Sequence, residues 1–145
     1  CGTAAFTREP VYVEDIATDP RWADYRHLAL PHGLRACWST PIRSAEGRVL
    51  GTFAMYFRTP GMPREEHLAL VDIATQLASI AIVRAETEQA LRDSESRFHA
   101  FMDAAPAIAW VTDDAGRHEY MNHAWTQVFG RDREDVVGHC ADEVV

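Results

Sequence analysis

One stretch limits what this chain can fold into more than any other: the residues between Pro63 and Pro106 include no proline and no glycine. Pro63, followed by Glu65 and Glu66, is typical of a helix start, because proline fits the first turn and acidic side chains favour the positive end of the helix dipole. We therefore predict one helix of roughly 40 residues, about 60 Å long at 1.5 Å per residue. An average helix has about 11 residues, so this length calls for a functional explanation.

The positions along this helix repeat at alternating spacings of three and four, the pattern of the a and d positions that form the contact line of a coiled coil. This seam consists of Leu70, Ile73, Leu77, Ile80, Arg84, Thr87, Leu91, Ser94, Phe98 and Phe101. Two interpretations stay open for its first half: residues 70–83 pack on a sheet of the same chain, or the helix over residues 64–103 pairs with a second copy. Because the register continues through Leu91 and Phe98, it favours a parallel homodimer, and the polar seam residues would keep that dimer weak and adjustable.

The residues before the helix predict a strand, a helical segment and a hairpin. Residues 10–16 form the strand, and a helix capped by Thr18 or Asp19 ends at Gly33. The runs "LRACWSTPIRS" and "RVLGTFAMYFRT" are joined by a turn that contains Gly47, which predicts a β-hairpin. Its second strand is apolar on both faces, which predicts a central strand covered on both sides.

After the helix, "AIAWVTDDAGRHEYMN" predicts strand, tight turn and strand, with Gly116 in the turn. Short helices ending at Gly130 and Gly138 follow. The predicted fold class is α+β: an antiparallel sheet with flanking helices, a long connecting helix and a partial second unit of strands and a helix.

Composition and motif content exclude several classes of function. The formal net charge is -8, and without a basic cluster we expect no nucleic-acid partner. No uniformly apolar run of membrane-spanning length is evident, so we expect no membrane insertion and a cytoplasmic location. The three cysteines are far apart, which suits a reducing compartment. The seven histidines lack metal-pair spacing, and no phosphate-binding loop occurs, so we predict no metal site and no catalytic residue.

The segments "CGTAAFTREPVYVEDIATDP" and "LRACWSTPIRSAEGRVLGTFAMYF" resemble the GAF domain, a sensor module that binds small molecules. The resemblance covers residues 1–83, and we expect further parts of that fold to precede Cys1. It implies a ligand pocket whose ligand or cofactor is unknown, although core packing is an alternative role for each candidate. The candidate pocket residues are Ile16, Trp22, Tyr25 and Trp38.

The segment "SESRFHAFMDAAPAIAWVTDDAGRHEYMNHAWTQVFG" resembles the start of a PAS domain, a second kind of sensor module. The residues that carry this resemblance are Asp114, Gly116, Asn122, Ala124, Phe129 and Gly130. We therefore assign residues 106–145 to a partial PAS-like domain, which we expect to continue beyond Val145. Residues 84–105 form a signalling helix between the two sensors.

Together the resemblances imply a sensory module of a bacterial signalling protein. It would bind a small ligand or a protein partner and relay the bound state through a dimeric helix to an output domain, first of all a histidine kinase of a two-component phosphorelay. The alternatives are the sensor part of a diguanylate cyclase or phosphodiesterase, a purely structural dimerisation module, or the GAF-fold free methionine sulfoxide reductase. The reductase fits least well, because Cys37 lies only four residues before Pro41, where that family has no catalytic cysteine.

Overall fold

The computed structural model describes residues 1–140 and has the predicted α+β fold. Two compact units are present, one over Cys1–Thr87 and one from Glu88 onward. The first contains α1 (Gly2–Thr7), β1 (Val11–Val13), α2 (Arg26–Ala29), β2 (Ala36–Arg43) and β3 (Val49–Phe57). The long helix α3 (Glu65–Ala104) contributes residues to both units, and the second adds β4 (Trp110–Thr112), β5 (His118–Met121) and α4 (His123–Phe129).

The sheet of the first unit is antiparallel in the order β1-β2-β3. The predicted hairpin is confirmed, with Gly47 in its turn at φ 83°, a conformation that glycine adopts without steric cost. The prediction that β3 is a central strand is wrong, because β2 is central and β3 lies at an edge of the sheet. Apolar side chains on both faces of a strand indicate that other elements pack on both faces of the sheet. They do not indicate that a further strand pairs along each edge.

The predicted helix over residues 18–33 is observed as three short pieces. A 3₁₀ turn (Pro20–Trp22), α2 and a second 3₁₀ turn (Leu30–His32) follow one another, and the segment ends at Gly33 with φ 72°. Asp19 caps the first piece by accepting a hydrogen bond from the Arg21 backbone N–H at 2.8 Å. Pro31 has no N–H to donate, so a continuous helix is not favoured here.

The 40-residue helix α3 has the length that the sequence predicts. It packs on β2 through one face, where Val71 and Thr75 are buried. By length and composition alone, α3 is also long and apolar enough to cross a membrane, contrary to the expectation from the sequence. One such helix is weak evidence for a membrane span. Most of its exposed large apolar residues lie at the seam positions, whereas Leu68 and Val83 lie outside the seam.

The second unit contains the antiparallel pair β4-β5, turned at Gly116, and then α4, which ends at Gly130. A 3₁₀ turn (Arg133–Asp135) precedes Gly138. These elements confirm the sequence-based assignments. Met121, Trp125 and Val136 form the hydrophobic core of this unit, and the two residues that flank Met121, Tyr120 and Asn122, are buried beside it.

Candidate functional site

A cavity of about 650 Å³ lies in the first unit, within the size range of small-molecule pockets. One face of the sheet and the broken helical segment form most of its wall. Its lining residues are Cys1, Gly2, Thr3, Val11, Val13, Arg21, Trp22, Tyr25, Leu28, Ala29, Leu34, Cys37, Ser39 and Tyr56. Most of these side chains are apolar, so the cavity suits a ligand that is itself largely apolar.

Trp22 and Tyr25, two of the four residues predicted to bind a ligand, line this cavity. Ile16 is fully buried, in a core cluster with Val13 and Ala29. Trp38 does not line the cavity, because successive side chains of β2 point to opposite faces of the sheet.

The opposite face of the sheet holds Trp38 in a packed and hydrogen-bonded position. Its indole N–H donates to the Gly61 carbonyl at 2.9 Å, and its ring packs against Phe57 and His67. Trp38 therefore joins β2 to the segment after β3 and to the first turn of α3. In this structure its contacts are those of a core residue.

Charge in the cavity wall is compensated locally. The Arg21 guanidinium donates from Nε to Asp19 Oδ1 at 3.0 Å and from Nη2 to Asp19 Oδ2 at 2.6 Å. The hydrogen bonds from Arg21 lower the pKa of Asp19 and outweigh the opposing effect of burial. The pair is thus ionised at neutral pH, and the positive charge of Arg21 already has its counterion.

Three polar side chains of the sheet face the cavity. Cys37 and Tyr56 are opposite each other on β2 and β3. Burial raises the pKa of the Cys37 thiol, although a hydrogen bond with Tyr56 opposes the shift, and burial likewise raises the pKa of Tyr56. Both groups are therefore neutral at pH 7, and Cys37 is poorly suited to be a nucleophile. Ser39 is also buried, and its hydroxyl has no hydrogen-bond partner in the protein.

The second candidate site is the seam of α3. Its apolar members Leu70, Ile73, Leu77, Ile80, Leu91, Phe98 and Phe101 are between 43% and 74% exposed. Val71 and Thr75, which the heptad places off the seam, are the residues of α3 buried against the sheet. The seam residues in the first half of α3 therefore lie off the face that packs on the sheet, whereas Phe98 contacts Tyr120 of β5, with ring centroids 5.6 Å apart.

The polar members of the seam lie in the middle of the exposed line. Arg84, Thr87 and Ser94 are all exposed. The Thr87 hydroxyl donates to the Val83 carbonyl one turn earlier at 2.9 Å. These positions interrupt the apolar surface without interrupting the helix.

In the second unit, Asn122 joins three segments. Its Oδ1 accepts from the backbone N–H groups of Ala109 and Trp125 at 3.0 and 3.1 Å. Its Nδ2 donates to the carbonyls of Met102 and Ala107 at 3.0 and 2.7 Å. The end of α3, the loop that follows it and the start of α4 are thereby held together by one side chain.

Asp103 forms a second polar centre near the same end of α3. It accepts hydrogen bonds from the Tyr120 hydroxyl at 3.0 Å, from the His123 backbone N–H at 2.7 Å and from the Arg133 guanidinium. Burial raises the pKa of Asp103, but these hydrogen bonds outweigh it and hold the pKa below its usual value. Within residues 1–140, no group of histidine, cysteine and acidic side chains could hold a metal ion.

Comparison with known proteins agrees with this geometry. A family model described as the GAF domain matches residues 1–83, more than half of the chain. The chain belongs to the GAF domain family. A second model, the PAS fold, matches residues 96–140. The GAF match covers the sheet, the cavity and the first part of α3, and the PAS match covers the unit that Asn122 holds together.

One curated relative is a sensor. Over 145 residues, or 99% of this chain, it is 34% identical to the methyl sulfide methyltransferase-associated sensor of Methanosarcina acetivorans. The chain spans only 14% of the length of that protein. This GAF domain chain is therefore similar to part of a much longer sensor.

Solved structures show the same fold. A domain assigned to a two-component sensor histidine kinase protein of Sinorhizobium meliloti 1021 superposes with a TM-score of 0.53 at 23% identity, covering 58% of this chain and 57% of that one. The E. coli DhaR(N)-DhaL complex contains a chain with a TM-score of 0.53 at 17% identity, covering 76% of this chain and 38% of that one. At these identities the likeness concerns the fold alone.

Proposed function

We propose that this chain is a cytoplasmic relay that binds a small molecule in the first-unit cavity and passes the bound state along a parallel homodimer of α3. Residues 1–83 would be the ligand sensor, residues 84–105 the signalling helix and residues 106–145 a second sensor. The receiving output domain is proposed to be a histidine kinase of a two-component phosphorelay. The observation that carries this proposal is the exposure of the apolar seam residues at both ends of α3, in one register across the polar residues between them.

A second copy of α3 is the partner that this surface fits. From Leu70 to Phe101 the seam runs for about 47 Å along the helix, at 1.5 Å per residue. The seam is apolar from Leu70 to Ile80 and again, apart from Ser94, from Leu91 to Phe101, and soluble proteins rarely leave large apolar surfaces uncovered. Because an a/d pattern is complementary to itself, the same helix from a second chain would bury all of these side chains at once.

The β2–β3 hairpin connects the cavity to α3. Cys37 and Ser39 face the cavity from β2. At the far end of the same strand, the Arg43 carbonyl accepts a hydrogen bond from the Ser79 hydroxyl at 2.7 Å. A displacement of β2 by a ligand would therefore move a point of attachment on α3.

The turn of the hairpin adds a second attachment. Arg48 forms an ion pair with Glu86 at 2.5 Å. Ser79 and Glu86 are seven residues apart on one face of α3, and the polar seam residue Arg84 lies between them in sequence. The two attachments thus act on the part of the helix where the seam is weakest.

A histidine kinase is favoured as the output because a similar domain is assigned to a sensor histidine kinase protein. A diguanylate cyclase or phosphodiesterase would use the same kind of relay and stays the alternative. The reductase is not favoured, because burial raises the pKa of Cys37 and keeps it a thiol at neutral pH.

Replacing the two central polar seam residues should lock the relay. In the Arg84→Leu/Thr87→Leu variant, apolar side chains would make the seam continuous from Leu77 to Leu91. We expect the dimer dissociation constant, measured by analytical ultracentrifugation, to fall roughly 100-fold or more. In the full-length protein, output activity should no longer change when the stimulus is added.

The matched control places two leucines off the seam, as Gln89→Leu/Arg92→Leu. Both residues are exposed, so this variant should keep the parent dissociation constant and the parent response. Survival of the normal response in the locked variant would contradict the proposed relay, as would equal tightening of the dimer in both variants.

A further inference from the structure

We infer that the first-unit cavity selects an uncharged, flat and largely apolar ligand that carries one hydrogen-bonding group, and that this group bonds to Ser39 Oγ. The inference rests on the proposed ligand-sensing function and specifies the chemical class of the ligand. Three features of the cavity support it: an unpaired hydroxyl in its wall, a right-angled pair of aromatic rings, and the compensation of its charge.

Ser39 provides the polar anchor. It is 1% exposed, lines the cavity and has no hydrogen-bond partner in the protein. A buried hydroxyl without a partner is unfavourable, so a ligand group that hydrogen-bonds to it gains affinity. Because this hydroxyl makes no bond within the protein, removing it should affect binding much more than folding.

The aromatic pair provides a surface for a planar ring. Trp22 and Tyr56 stand edge to face, with ring centroids 6.2 Å apart and planes at 87°. A planar ligand can stack on one ring while its edge meets the other, both of which are favourable aromatic geometries. Val11, Val13 and Leu34 supply apolar cover around it.

The charges argue against an anionic ligand. Arg21 is the one charged side chain among the cavity-lining residues that the structure describes. It is held by Asp19 in the bidentate pair and also donates to the Tyr12 carbonyl at 3.1 Å. A carboxylate or phosphate could bind Arg21 only by competing with Asp19, whereas a neutral ligand leaves this arrangement intact.

Three probes of similar size distinguish the hydrogen bond to Ser39, the aromatic packing and the effect of a negative charge: 2-naphthol, naphthalene and 2-naphthoate. Equilibrium dialysis against the complete chain at pH 7 measures each dissociation constant. We expect saturable binding of 2-naphthol, about tenfold weaker binding of naphthalene and at least tenfold weaker binding of 2-naphthoate. Ser39→Ala should weaken 2-naphthol about tenfold, leave naphthalene unchanged and leave the melting temperature within about 2 °C of the parent.

Ser44→Ala is the matched control, because Ser44 is a buried serine just after β2 whose hydroxyl is already hydrogen-bonded to the Arg48 N–H. It should bind all three probes as the parent does. Equal affinities for 2-naphthol and naphthalene, a preference for 2-naphthoate, or no saturable binding would each overturn the ligand class. The ligand-sensing function would survive such a result if mass spectrometry found another small molecule bound to the purified protein, and would fail with it if none were found.

Discussion

Replacement of Asn122 by alanine should destabilise the second unit by about 4 kcal/mol, since it removes four hydrogen bonds of about 1 kcal/mol each. Asn122 is fully buried, so the Ala109 N–H and the Ala107 carbonyl would lose the partner that its side chain provides. The loss is large compared with the whole stability of a small domain. The loop after α3 and the start of α4 should therefore open.

Region-resolved hydrogen exchange on the intact chain measures this effect. The amides of Ala109 and Trp125 should lose most of their protection, while those of β2 and β3 keep theirs. Asn122→Asp keeps one acceptor oxygen but turns the other carboxylate oxygen towards the Met102 and Ala107 carbonyls in a fully buried position, so it should destabilise the unit at least as much as Asn122→Ala. The exposed substitution Gln127→Ala is the control and should change little. A loss below about 1 kcal/mol in Asn122→Ala would show that this network does not hold the unit together.

Two charges placed in the seam should separate the dimer. In Leu77→Glu/Leu91→Glu, each protomer loses two leucines that the partner helix would bury. At about 1.5 kcal/mol or more per leucine, the dimer loses about 6 kcal/mol, roughly a 10⁴-fold increase in the dissociation constant. Sedimentation velocity should then find only monomers at micromolar concentration.

The control Ala85→Glu/Gln89→Glu adds the same two charges at exposed positions outside the seam. It should sediment as the parent does, which separates a loss of seam contacts from a general effect of charge on the helix. Dimers of undiminished affinity in the Leu77→Glu/Leu91→Glu variant would exclude the seam as the interface. Circular dichroism should show that both variants keep α3 helical, because glutamate is a good helix former.

The elements that local chemistry determines could be predicted from the sequence. The bounds of α3 follow from the absence of breakers between Pro63 and Pro106, and the tight turns follow from glycines at positive φ such as Gly47 and Gly116. The position of β3 in the sheet could not, because strand order depends on contacts distant in sequence. The predicted single helix over residues 18–33 is instead three short helical pieces, and Pro31 lies inside this otherwise helical pattern.

The cavity was only partly predictable. Aromatic composition pointed to Trp22 and Tyr25, which line it, and also to Trp38, which does not. A single sequence shows that Trp38 and Ser39 lie on opposite faces of a strand, but not which face borders a cavity. The pairing of Val11 with Ser39 decides this, and it is visible only once β1 is seen beside β2.

The heptad pattern was the clearest signal in the sequence, yet it admitted two interpretations. Apolar residues at spacings of three and four suit a sheet of the same chain as well as a second helix. The structure shows that α3 packs on the sheet through Val71 and Thr75, while the seam residues Leu77 and Ile80 stay exposed. The proposed relay depends on the second interpretation, a dimer of α3.

Cysteine cross-linking along α3 tests this central proposal most directly. In a background with Cys1→Ser, Cys37→Ala and Cys140→Ser, single cysteines are introduced at seam positions Leu77, Ile80 and Leu91, and outside the seam at Ala85 and Gln89. In a parallel dimer, equal residues at a and d lie close enough to form a disulfide between protomers. We predict rapid cross-linking at the three seam positions and little at the other two. Uniform cross-linking at all five positions, or faster cross-linking at Ala85 and Gln89 than in the seam, would contradict the account.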